Sequence, residues 1–430
     1  MAKGINIFMS PSFKLISLHF FSAILSLLAA VVLMMVSYQG LFWNHFSPVI
    51  LAVTHLMVLG WIAFTIFGAM FQLTPVVLQT PLWSEKLGFV QYGFHLIGLV
   101  LLIYSFYIFA FNWITVIGGS LLLIAVVLFI INNSMTIYGA KENNITGVFM
   151  IAGNIYLFLT VVMGLMLAIN QFYNYLPGNH LKLLTVHAHL GMAGWIGMII
   201  CGVSVKLIPM FNLSHGFSFK PTWVVFYVLN VGIVGFSLSR FFGFDSTGDY
   251  IFIPVIAVAF LIFFYQILMI IKHRLKKQMD LGIKISLFGY STLVVATLVG
   301  VALLFVANYT IDDKSIDLAV IYGFILIFGF FSQLIMGQLY KIVPFLIWLH
   351  YYSKLVGKQK VPLTKDLINK DFSRAQYYLT NSSNFVVLAG FVFQIGEVLL
   401  AGLGLYLAGA ILFAMSIAQT YVRKTEDDLK

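Results

Sequence analysis

The residues of this 430-residue chain best suited to chemistry are three histidines, His55, His187 and His189. Each lies about two turns inside a long apolar run. An ionisable side chain at that depth is costly and by default has both a partner and a task. Neutral imidazole binds a metal, relays protons, or packs with a hydrogen bond, and spacing helps decide among these. Residues i and i+2 on a helix point about 200° apart. His187 and His189 therefore face opposite sides of one helix and cannot both ligate one small ion; they suit two neighbouring sites.

Position within a repeat singles out two of the three. The stretches HLMVLGWIAFTIFGAMFQLTP (55–75), HLGMAGWIGMIICGVSVKLIP (189–209) and FILIFGFFSQLIMGQLYKIVP (324–344) are copies of one helix, starting 134 and 135 residues apart. Aligned on their first residues, they share glycine at +5 (Gly60, Gly194, Gly329) and at +13 (Gly68, Gly202, Gly337). They also share proline at +20 (Pro75, Pro209, Pro344). Histidine opens the first two copies and Phe324 the third, so packing alone does not demand histidine there. Two imidazoles at equal depth on related helices can sandwich a planar macrocycle. Bis-histidine haem ligation asks only for two nitrogens about 4 Å apart across the iron and an apolar slot for the ring.

The remaining histidines carry plainer expectations. His19 and His95 read as hydrogen-bonded packing residues or proton relays, and His215, His273 and His350 as polar residues at inner ends. His45 and His180 each follow an asparagine (Asn44, Asn179) and precede His55 and His189 by ten and nine residues. They are candidates for an outer metal site, although ordinary surface polarity is the commoner reading.

The elements that must position these residues follow from composition. The chain is 61% hydrophobic and 9% charged, with a mean hydropathy of +1.01, which defines a polytopic membrane protein and excludes a soluble globular one. Apolar runs of about 20 residues span the hydrocarbon as helices. Twelve are predicted, at 13–37, 48–75, 88–110, 112–132, 145–169, 181–209, 220–241, 250–272, 283–307, 318–346, 381–399 and 402–422. Glu397 and the glycines at 402–404 are expected to mark the last turn. With the N-terminus inside, all lysines and arginines except Lys182, Arg240 and Lys314 fall on the inner side, which places both termini in the cytoplasm. The net charge of +10 reflects that rule and gives no reason to expect nucleic acid. The first run reads as a retained span rather than a cleaved signal peptide. The single Cys201 excludes an internal disulfide and a cysteine-based metal site.

Twelve spans and three copies give four helices per unit, in one membrane domain over 1–430 with repeats near 13–132, 145–272 and 283–422. The copies fall on the second, sixth and tenth spans and share one orientation, which excludes an inverted repeat and suggests pseudo-threefold symmetry about the membrane normal. The glycines allow close helix approach, and the prolines are expected to end each copy near the inner surface. Gln72, Lys206 and Lys341 at +17 read as inner-end anchors, with an inner entrance as the alternative.

With these residues in place, Val186-His187-Ala188-His189-Leu190 continuing to Pro209 resembles the His-x-His helix of haem–copper oxidase subunit I. In that family one of the two histidines binds the low-spin haem and the other binds the haem of the binuclear centre. Thr54-His55-Leu56-Met57-Val58 through Pro75 is similar to the family's second helix, which supplies the other low-spin ligand. The resemblance implies an all-α integral membrane fold of twelve helices in three four-helix arcs. It implies haem b held by His55 and His189, and a second site at His187 for another haem or copper. Arg240 and Lys182 are almost the only outer cations available to haem propionates.

The chain departs from the oxidases in three ways. It has no His-Pro-Glu-Val-Tyr-like stretch and no His-His pair, and its His-x-His lies on the sixth span instead of the tenth. It is also shorter than most oxidase subunits, and it looks more like the compact subunit I-like branch, which includes small haem and copper proteins of nitric-oxide stress. The expected function is electron transfer or nitric-oxide- or oxygen-related redox chemistry in a plasma membrane, without proton-pumping oxygen reduction. The alternative is a non-enzymatic haem- or copper-handling or sensing protein. No Cys-x-x-Cys-His signature is present, so electrons would come from quinol or a redox partner protein.

Overall fold

The computed structural model describes residues 12–140, 144–176, 180–306 and 318–427, with only the backbone described at 245–246 and 423–427. Among them the protein is almost entirely helical. The long helices in chain order are α1 (Phe13–Val36), α2 (Pro48–Leu78), α3 (Glu85–Tyr107), α4 (Trp113–Tyr138), α5 (Ile145–Tyr173), α6 (His180–Asn212), α7 (Lys220–Phe241), α8 (Asp245–Lys272), α9 (Leu281–Val306), α10 (Leu318–Leu355), α11 (Lys370–Phe393) and α12 (Gly396–Asp427). All but α11 are both long and apolar enough to cross a membrane, and the protein is an all-α membrane protein in that sense.

Polar caps set several helix starts. The Ser84 hydroxyl accepts from Leu87 N at 3.2 Å, and the Asn144 amide oxygen accepts from Gly147 N at 3.0 Å. Asn369 accepts from the first amides of α11. Each satisfies a backbone donor that the first helical turn leaves open.

The helices form two compact units. One comprises residues 1–76, 280–293 and 313–430, and the other comprises 77–279 and 294–312. In the first unit α1 packs on α2 and α12, α10 packs on α12, and α11 and α12 form a hairpin. In the second unit α3 pairs with α4 and α7 with α8, while α5 and α8 flank α6.

The three repeated helices share local structure. In each, a wide π-helical stretch covers offsets +1 to +8: Leu56–Ala63 in α2, Leu190–Gly197 in α6 and Ile325–Ser332 in α10. Their glycines abut the preceding helix in every case. A Cβ at Gly60 would lie 2.6 Å from Ser26 of α1, one at Gly194 2.8 Å from Tyr156 of α5, and one at Gly329 3.6 Å from Thr292 of α9. The +13 glycines are tight in all three copies, with Cβ positions 2.8 Å from His19, 2.3 Å from Phe149 and 2.5 Å from the Gly282 carbonyl. No side chain fits such gaps without movement, so glycine sets these approaches.

Two boundary expectations are corrected. The prolines do not end their helices: Pro75, Pro209 and Pro344 are all internal, and α10 runs on to Leu355 through a second π stretch at Trp348–Tyr352. A proline forfeits one backbone bond to the preceding turn, and the helix continues past it. The last turn also lies elsewhere. The eleventh helix starts at Lys370, and the chain reverses at Gln394, which is left-handed (φ 53°), and Ile395. Glu397 is exposed in the first turn of α12, and Gly402 is inside that helix. Hydropathy missed the first half of α11 because Ser373, Gln376 and Thr380 depress a windowed average. All three are buried on one face of the helix.

Candidate functional site

His55 and His189 adopt the same posture. Each is half-buried and directs Nδ1 to the carbonyl one turn earlier on its own helix, His55 to Leu51 O and His189 to Thr185 O, both at 2.8 Å. A carbonyl only accepts, so Nδ1 carries the proton and the neutral ring keeps its lone pair on Nε2. That tautomer, which His19 and His273 share, is compatible with metal ligation through Nε2. The π-helical stretch begins at the next residue in both cases, and such wide turns often mark functional positions. In the third copy, Phe324 stacks on Phe328 with centroids 4.9 Å apart.

His187 is held differently. Its Nδ1 donates across to Thr160 O of α5 at 2.9 Å. Gly164, one turn further along α5, leaves room for the ring, since a Cβ there would stand 2.8 Å from His187 Cε1. His189 instead lies against Phe236 of α7, centroids 4.2 Å apart. The two rings thus address different neighbouring helices, and the second unit brings them together only as neighbours on α6.

Arg240 extends the His189 side. Its guanidinium sits over the Phe236 ring at 5.3 Å and donates through Nε to Asp249 Oδ1 at 3.1 Å and through Nη2 to Oδ2. The pair is mostly buried, with side-chain exposures of 13% and 20%. The sequence reading missed Asp249, and Phe236 and Thr160 as well. The available signal for Asp249 was an acid one turn inside an otherwise apolar span, nine residues from an isolated arginine. Nothing in composition points to Phe236 or to the Thr160 carbonyl.

The other candidates separate. His19 donates Nδ1 to Leu15 O at 2.8 Å and meets the edges of Phe64 and Phe71, a packed position. His95 is fully buried. His215 and His350 are exposed, and His350 stacks on Phe13. His273 donates to Met269 O. Asn44 accepts from Phe46 N in a local turn; Asn179 and Lys314 lie outside the described residues, and Lys182 is exposed. At +17 the three residues diverge: Lys206 is exposed, Gln72 is fully buried, and Lys341 forms a salt bridge with Asp280. Lys341 is thus a paired group between α9 and α10, not an anchor reaching for the surface. Among the described residues, no three His, Cys, Asp or Glu side chains are grouped so as to hold a metal ion.

No known family model matches the chain, and no curated protein matches it significantly in sequence.

Proposed function

We propose that the protein binds haem b in the membrane through His55 and His189 and acts in electron transfer or nitric-oxide- or oxygen-related redox chemistry. The observation that carries this reading is that both histidines stand at offset 0 of the repeated helix, because the Nδ1 bond to the carbonyl one turn back also occurs at His19 and His273. Both donate Nδ1 to the carbonyl one turn back at 2.8 Å, which fixes the tautomer with the lone pair on Nε2. That donor set suits a haem iron. The assignment of both to one iron rests on the sequence repeat. Haem would supply one-electron redox chemistry and, at an open position, gas binding. His187, turned the other way and held by Thr160 O, is assigned to a second haem. Copper bound by three side chains is not part of the proposal.

The protein residues have separable tasks. Thr185 O and Leu51 O fix the ring tautomers, and Phe236 supports the plane of the His189 ring. Arg240, oriented by Asp249 and Phe236, is the candidate partner for an anionic haem substituent. The distribution of lysine and arginine supports a plasma-membrane protein with both termini cytoplasmic, and in this reading it draws electrons from quinol or a redox partner.

The test is a reduced-minus-oxidised absorption spectrum with a pyridine haemochrome assay on the purified protein and on His55→Ala, His189→Ala and His19→Ala. A haem b signal is expected in the wild type and in His19→Ala, and its loss or conversion to high spin in the other two. Carbon monoxide added to the reduced wild type reports an open haem at His187. Haem-free wild-type protein, after expression with ample haem, removes the proposal and leaves metal handling or transport.

A further inference from the structure

The third copy of the repeated helix exchanges its histidine for polarity deeper in the membrane. At +8, +9 and +16 the first two copies carry Ala63, Phe64, Phe71 and Gly197, Met198, Val205, whereas the third carries Ser332, Gln333 and Tyr340. All three polar side chains are buried. They lie in the same unit as α11, whose own buried face is polar: Ser373, Gln376, Thr380, Ser383 and Asn384, each less than 5% exposed. Steps of three and four residues put these on one side of the helix.

The two polar faces meet. Gln376 Nε2 donates to Thr380 Oγ1 at 3.0 Å and approaches Met336 Sδ at 3.3 Å. Thr380 Oγ1 lies 3.5 Å from Gln333 Oε1 but gives its single proton at 2.9 Å to the Gln376 carbonyl. On the α12 side, Tyr340 faces Ser416 and Tyr406 faces Ser332.

Polar residues that merely fasten membrane helices use up their donors and acceptors on one another. Here they do not. Among the described residues, Gln333 Nε2, Gln376 Oε1 and both ends of the Asn384 amide have no hydrogen-bond partner. Exchanging the amide atoms cannot satisfy Asn384, which is unmatched at either end. Buried polar groups in native proteins are almost always satisfied, by ordered water where protein groups do not suffice.

We propose that α10, α11 and α12 enclose a hydrated lane, a binding site for a file of water molecules that bridge Asn384, Gln376 and Gln333. From Ser373 to Asn384 the helix rises about 16 Å, so the lane runs from near the Lys370 end of α11 to about half the depth of the hydrocarbon. It gives water a route into the protein that does not depend on the haem reading. Asp280 and Lys341 close the neighbouring α9–α10 seam with an ion pair.

Internal water can be read by X-ray radiolytic labelling in oxygen-18 water, which oxidises side chains beside bound water even where bulk solvent is excluded. Met336, Met57 and Met198 are all fully buried, but only Met336 borders the lane. Met198 is the apolar counterpart of Gln333 at +9. In the purified full-length protein, Met336 is expected to gain labelled oxygen several-fold faster than Met57 and Met198. In Asn384→Leu its rate should fall towards theirs. Equal, slow labelling of all three methionines in the wild type overturns the proposal, and so does a Met336 rate left unchanged in a folded Asn384→Leu. Should that variant not fold, the wild-type comparison decides alone.

Discussion

Gly164→Ala isolates the seat of His187. A Cβ at this position would lie 2.8 Å from Cε1 and 3.2 Å from Nδ1 of the ring, whereas ordinary contact begins near 3.4 Å. The ring must therefore retreat from α5 by about 0.6 Å, a shift of the size that overpacked cores absorb only at a cost. The same helix carries Thr160 O, so the retreat stretches the 2.9 Å hydrogen bond to roughly 3.5 Å, where little of it remains. Losing that bond costs about 1 kcal/mol. Overpacking adds about 1–3 kcal/mol, and the better helix propensity of alanine returns about 1 kcal/mol. The net expectation is destabilisation by about 1–3 kcal/mol.

The assay is equilibrium unfolding in mixed detergent and dodecyl sulfate micelles, followed by circular dichroism, with Gly93→Ala as control. A Cβ at Gly93 meets nothing within 4 Å, so that variant should be neutral or slightly more stable. The decisive experiment is the cycle with His187→Ala. Without the imidazole the clash and the hydrogen bond are both gone, so Gly164→Ala should become neutral or mildly stabilising, with a coupling of about 2–4 kcal/mol. An equal penalty in both backgrounds would refute the reasoning, because the cost would then lie in α5 itself.

Three further outcomes are expected. Gly202→Ala brings a methyl to 2.3 Å from the Phe149 Cβ, an atom fixed to its backbone. Its cost should reach about 3 kcal/mol or more, the upper end of overpacking, and a smaller loss than Gly164→Ala in the same unfolding assay would contradict this ranking. Asp249→Asn leaves Arg240 partly buried without its countercharge. The pair is still 13–20% exposed, so the loss should be about 1–3 kcal/mol, below the value for a fully buried pair. It should be visible as a lower melting temperature that a paired Arg240→Gln substitution partly restores. Lys341→Met should destabilise through the stranded Asp280, and the double variant Lys341→Met/Asp280→Asn should recover most of that loss; no recovery would argue against direct pairing.

Much was legible in the sequence because a membrane imposes simple rules. A run of apolar residues must be helical there to satisfy its backbone, and eleven of the twelve expected spans have helices of suitable length and apolarity. The three stretches opened by His55, His189 and Phe324 align in sequence on their glycines, and each continues into a π-helical stretch at the next residue. The opposite directions of His187 and His189 follow from helix geometry alone.

Tertiary structure decided which groups answer one another. The Thr160 carbonyl holds His187 across 27 residues, Asp249 holds Arg240 across a helix hairpin, and Asp280 meets Lys341 at a separation of 61 residues. Only Arg240 and Asp249, nine residues apart, fall within one short window, and even there it is the turn between two helices that brings them together. The start of α11 was misplaced for a related reason. A hydropathy average adds the two faces of a helix together, so a polar face turned inward looks like exposure to water. Only the packing of α11 against α10 and α12 shows that Gln376, Thr380 and Asn384 are buried, and that α11 begins at Lys370 and reverses at Gln394.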